Sequence, residues 1–156
     1  MEPHASNTDA ISAQLRATHR VAALVAYAMG ASLGAYAVVV EILARAQPSA
    51  APAVTEAFRW IFYGVAATIV FATHVVHAVL AQGVRRAPPE ERPARLASAN
   101  MITLGLAEAP AILGLVLYIV WRQHTDFYVL CAFSLYLIIR HFPRFAEWER
   151  LARPGT

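Results

Sequence analysis

Four apolar runs alternate with short segments rich in Arg, Pro and Glu along this 156-residue chain. A helix that crosses the hydrocarbon of a bilayer needs about 20 mostly apolar residues. The first run, Val21–Ala44, closes at Arg45 and a breaker stretch carrying Pro48 and Pro52. The second, Trp60–Leu80, follows Phe58 and Arg59 and ends before Gly83; the third is Leu96–Val120. The fourth, Tyr128–Ile139, has a shorter apolar core and is extended to Thr125–Phe142 to span a thin or locally adapted bilayer. The pattern predicts helices over about 21–44, 58–83, 96–121 and 125–142, with short interfacial flanks at 9–19 and 144–152. The expected fold is one all-α transmembrane domain over 1–156, a four-helix bundle built as two hairpins.

The flanks have their own pattern. Asp9 stands where an N-cap would start a short helix through Ile11 and Leu15 into the first span. Phe145, Trp148 and Leu151 recur every third residue between Arg144, Glu147 and Arg150, a stripe suited to lying on a membrane leaflet. The loop from Arg85 to Pro93 is charged and stiffened by Pro88, Pro89 and Pro93.

Composition agrees with a membrane protein: 58% hydrophobic residues and a mean hydropathy of +0.47 exceed the roughly 45–50% apolar content of soluble domains. The net charge of +3 comes from 13 basic residues, all of them Arg. These lie between the apolar runs, so they read as orientation signals, and no nucleic-acid partner is expected. Arg16, Arg20, Arg85, Arg86, Arg92, Arg95, Arg140, Arg144, Arg150 and Arg153 share one side of a four-span chain; Arg45, Arg59 and Arg122 fall on the other. The positive-inside rule then puts both termini in the cytoplasm. Exclusive use of Arg and abundant Ala point by association to a bacterial genome, so the expected location is the bacterial inner (cytoplasmic) membrane. The one cysteine, Cys131, forms no intrachain disulfide, and no CxxC or CxxCH occurs.

Glu108 is the most informative residue, a carboxyl near the middle of the third run. A charge at that depth costs roughly 3 kcal/mol or more on insertion scales, so the group needs a proton or a partner. His74 and Ser32 lie at similar depth and are the expected partners, with a Glu108–His74 hydrogen bond preferred. Pro110 removes a backbone donor two residues on and is expected to kink the helix. Ala22, Ala26, Gly30 and Gly34, at four-residue intervals, form a small-residue face expected to serve helix packing. Neither nucleophile–base pair, phosphate loop nor metal motif is visible, so no catalytic residue, no metal site and no enzymatic activity is expected. No cofactor is expected either; the alternative is b-type haem, for which His77 and His141 are the pair at comparable depth.

The stretch Arg95–Tyr118, with Ala107-Glu108-Ala109-Pro110 at its centre, resembles the second helix of the rotary ATP synthase c subunit. The resemblance covers about one sixth of the chain. It implies that Glu108 is a proton- or ion-binding carboxyl. The preceding run differs from that family's other, glycine-alternating helix, since it has only Gly64 and carries two histidines. The whole layout, with its Phe142-Pro143-Arg144 ending, resembles a group of small bacterial four-helix membrane proteins, which implies a fold and no activity. The expectation is a non-enzymatic accessory or assembly subunit of a larger membrane complex, partnered by the lipid bilayer and by other subunits or itself. A proton- or ion-translocating c-like proteolipid is the alternative, and a b-type haem-binding membrane subunit the second alternative.

Overall fold

The computed structural model describes the backbone of residues 4–46 and 56–152, and the side chains of 12–46 and 56–151; Arg153 and the Pro48–Pro52 breaker lie outside them. Within these limits the chain is entirely helical: α1 (His4–Ala46), α2 (Glu56–Arg86), α3 (Arg92–Trp121), α4 (His124–Arg140) and α5 (Phe145–Ala152). Local chemistry sets several of the ends. Pro93 sits in the first turn of α3, where its missing N–H costs nothing. Arg122 ends α3 in the left-handed region, at φ 57°, and donates its N–H to the Tyr118 carbonyl. Pro143 stops α4, and the chain turns by 53° into α5.

α1, α2 and α3 are each long and apolar enough to cross a membrane, and α4 with α5 qualifies only as a bent pair. The 17 residues of α4 reach about 25 Å at 1.5 Å per residue, short of a typical hydrocarbon core of about 30 Å. α1 differs from expectation at its start. The helix is already formed at His4 and continues without interruption through Ile11 and Leu15 into the first span, so Asp9 lies inside it rather than capping it.

α3 is the central element. α4 runs against it along most of its length, while α1 and α2 pack on its two flanks. Among the described residues α1 and α2 do not touch each other, so the packed hairpins are α2–α3 and α3–α4, and the expected first hairpin of α1 with α2 is not formed. α4, packed along α3, touches both α1 and α2, and its bulk keeps those two apart. Gly114 makes the α3–α4 seam possible: a Cβ there would stand 3.1 Å from the Phe127 carbonyl oxygen and from the Leu130 Cβ.

The small-residue face of α1 plays a smaller part than its spacing suggests. Ala22 and Ala26 are fully buried. Gly34 is exposed, and a Cβ at Gly30 or Gly34 would meet nothing within 4 Å. The stripe packs only through its first half, because each four-residue step turns about 40° around the helix and carries Gly30 and Gly34 away from the face on which Leu33 and Val40 continue the contact with α3.

Packing clusters mark the two ends. Leu15, Ala22, Val84, Leu96 and Trp148 converge where α1 begins, α2 ends and α3 begins; Val40, Tyr118 and Phe127 converge at the opposite end. Successive helices therefore alternate in direction. Trp148, 5% exposed, plugs the first of these clusters, with Leu151 beside it. Two of the three residues in the α5 stripe thus face the helix ends and not a leaflet, because the 53° turn folds α5 back over them.

Candidate functional site

Glu108 lies in the seam between α3 and α1. Its Oε1 accepts a hydrogen bond from the Tyr36 hydroxyl at 2.8 Å and stands 2.6 Å from the Ser32 hydroxyl oxygen. Ser32 and Tyr36 are four residues apart and so share one face of α1. Below them Leu33, Leu104, Ala107 and Ala111 are closed against Leu137 and Ile138 of α4, which anchors the seam.

The proton count at this site is informative. Ser32 Oγ lies between two acceptors, the Met29 carbonyl at 2.7 Å and Glu108 Oε1 at 2.6 Å, and has one proton to give. With a proton on Glu108, the carboxyl O–H donates to Ser32, Ser32 donates to Met29, and Tyr36 donates to Oε1. Every short contact is then a hydrogen bond. Without that proton one of the two Ser32 contacts goes unused.

The sequence expectation paired Glu108 with His74 first. The structure brings in Ser32 and not His74. Leu113 and Leu117 are the α3 residues packed toward α2, and Leu117 is nine positions from Glu108, about 180° around the helix at 100° per residue. Equal depth therefore does not bring α2 and the carboxyl together. Tyr36 is the partner that depth arguments on polar residues missed; its spacing from Ser32 was the available signal.

Pro110 does not interrupt α3, which continues to Trp121. Ser134 of α4 inserts here: its Oγ accepts the Ala111 N–H at 2.8 Å and lies 3.4 Å from the Glu108 carbonyl oxygen. A side chain entering the backbone ladder beside a proline is a recognised way to satisfy the groups the proline frees.

On the outward side of the seam, Met101, Gly105, Ile112, Val116 and Ile119 are exposed, and Glu108 is half-buried in the same stripe at spacings of three and four. No helix among the described residues covers this face of α3, which lies between the separated α1 and α2.

The histidines gather elsewhere. The His141 ring meets His77 at 4.6 Å and His74 at 5.1 Å between centroids. His74 Nδ1 is 2.8 Å from the Val70 carbonyl, so that nitrogen carries a hydrogen and donates it. His77 and His141, the pair considered for haem, touch ring to ring, whereas axial ligation needs the iron between them. No group of three His, Cys, Asp or Glu among the described residues is placed to hold a metal ion.

A third polar site was not anticipated. Asp126, fully buried at the start of α4, receives Arg59 Nε and Nη2 at 2.9 and 2.7 Å and the Tyr63 hydroxyl at 2.9 Å. The bidentate geometry fixes α2 to α4 at the end opposite the termini. Glu41 accepts the Tyr128 hydroxyl at 2.6 Å. These are ties between helices and read as structural.

The chain matches no known protein family, no curated protein and no solved structure.

Proposed function

We propose that this chain is a non-enzymatic, multi-pass subunit or assembly partner of a larger complex in the bacterial cytoplasmic membrane, with Glu108 as its protonatable intramembrane group. One observation carries the reading. Glu108 stands in the middle of the uncovered stripe of the central helix, between Gly105 and Ile112. A polar group facing hydrocarbon at that depth is costly, and both a proton and a covering polypeptide lower the cost. Small and aliphatic neighbours let a further helix approach that stripe. The asymmetric Arg distribution supports termini on the cytoplasmic side.

A second reading, a proton- or ion-exchanging proteolipid, is favoured by the bonding at the carboxyl. Both hydroxyls engage Oε1, and Oε2 has no bond from the described residues. The resemblance of Arg95–Tyr118 to an ion-binding helix adds to it.

The test is purification from the native membrane in mild detergent, followed by dicyclohexylcarbodiimide treatment, which modifies protonated carboxyls in apolar surroundings. Recovery with other membrane proteins or as a defined oligomer, and an adduct on Glu108 absent from Glu108→Gln, are the expected results. A folded monomer alone on the column sinks the complex. A folded sample whose Glu108 resists the reagent at every pH sinks the protonated carboxyl.

A further inference from the structure

A small cavity opens between α2, α3 and α5 at the end where Trp148 plugs the bundle. It encloses about 60 Å³ and is bordered by His77, Asn100, Glu147 and Trp148. Water in the liquid occupies about 30 Å³ per molecule, so there is room for roughly two. One observation marks it as wet, and a second lies one ring beyond it. Asn100 is 7% exposed, and its Nδ2, a donor, has no hydrogen-bond partner. Behind His77, the Nε2 of His141 is likewise buried without a partner, in a residue 7% exposed. Buried polar atoms are bonded in the great majority of cases, and ordered water is the usual partner when protein supplies none.

We propose that this cavity binds a short water chain that connects the surface at Glu147 to the imidazoles His77 and His141 and loads protons onto them. The proposal is independent of Glu108, which bonds to α1 and does not border the cavity. Glu147 is exposed and supplies an acceptor at the mouth. Asn100 donates to the first water, fixing its orientation so that a lone pair or proton faces His77. A hydronium ion in the chain passes its proton to a His77 ring nitrogen and becomes water. The imidazolium releases the N–H proton of its other nitrogen to His141 Nε2 and returns to neutral. The remaining charged and titratable groups around the pair are Arg140 on α4, Glu147 on α5 and His74 on α2; α3 contributes the uncharged Asn100. His74 is a terminus, because its Nδ1 hydrogen is committed to Val70. The arrangement stores and returns protons at one end of the protein rather than conducting them across it.

Deuterium uptake at the imidazole C2 position, followed by mass spectrometry on the full chain in lipid nanodiscs, tests this. His124, exposed at the opposite end, is the internal reference. His77 and His141 are expected to take up deuterium with a clear pH dependence. Asn100→Leu, which fills and dries the cavity, is expected to slow both several-fold and leave His124 unchanged. If Asn100→Leu does not fold, Glu147→Gln serves, with the same loss at His77 and His141 on a smaller scale. Absence of uptake at His141 in the native chain, or unchanged uptake in a folded variant, overturns the proposal.

Discussion

Tyr36 and Glu108, 72 positions apart in sequence, meet hydroxyl to carboxyl at 2.8 Å in the seam between α1 and α3. With Ser32 at 2.6 Å this is the contact through which the first helix recognises the third. Tyr36→Phe removes one donor and is expected to lower stability by about 1 kcal/mol, the usual net value of a hydrogen bond. Glu108→Gln keeps an acceptor for Tyr36 and supplies an amide N–H in place of the carboxyl proton toward Ser32, and is expected to stay near the native midpoint. Glu108→Leu leaves Tyr36 without its acceptor and Ser32 without its donor, and is expected to be the worst of the three. Thermal unfolding in one detergent ranks them; a destabilised Gln variant beside a native-like Leu variant would contradict the seam.

Gly114 and Gly34 have opposite surroundings, although both are helical glycines. A Cβ on Gly114 meets backbone at 3.1–3.2 Å, which a rotamer change does not relieve. Gly114→Ala is expected to cost about 1–3 kcal/mol through overpacking. Gly34→Ala meets open space and is expected to stabilise, by up to about 1 kcal/mol from helix propensity. Paired unfolding curves check the sign of each.

The Arg59–Asp126 ion pair is lopsided, because the Asp side chain is fully buried while the Arg side chain is 42% exposed. Removing Arg59 leaves a buried carboxylate with Tyr63 alone, whereas removing the Asp charge leaves an arginine that solvent can reach. Arg59→Ala is therefore expected to lower the unfolding midpoint more than Asp126→Asn, which also retains an acceptor for Tyr63. Equal losses would mean that the desolvated carboxylate is not the deciding term.

Ser134 is expected to matter through the backbone it serves. Ser134→Ala leaves the Ala111 N–H without its 2.8 Å partner next to Pro110. A loss of about 1–3 kcal/mol is expected for an unmet buried donor. Hydrogen exchange at Ala111, faster in the variant than in the native chain, locates the effect.

Topology is open to direct chemistry. In a Cys131→Ser background, cysteines placed at Glu90 and at Arg144 are expected to react with an impermeant thiol reagent from the same side of the membrane. One placed at Thr125 reacts from the other. Reaction of Arg144→Cys together with Thr125→Cys would make α4 and α5 re-entrant instead of spanning.

Local residue patterns determined much of this picture. Apolar runs near 20 residues read as helices because only a helix satisfies its own backbone in hydrocarbon. The single carboxyl inside the third run stood out, since every residue around it is small or aliphatic. Ser32 was placed by counting 1.5 Å steps along two helices. What tertiary structure decided was rotation and adjacency. Depth is a one-dimensional quantity, and His74 satisfies it as well as Ser32 does; which of them reaches Glu108 depends on which helix lies at that angle around α3. Apolar periodicity is weak in helices that are oily on all sides, so it does not choose between neighbours. That choice came from the close approach at Gly114, which locks α4 to α3 and sends α1 and α2 to opposite flanks.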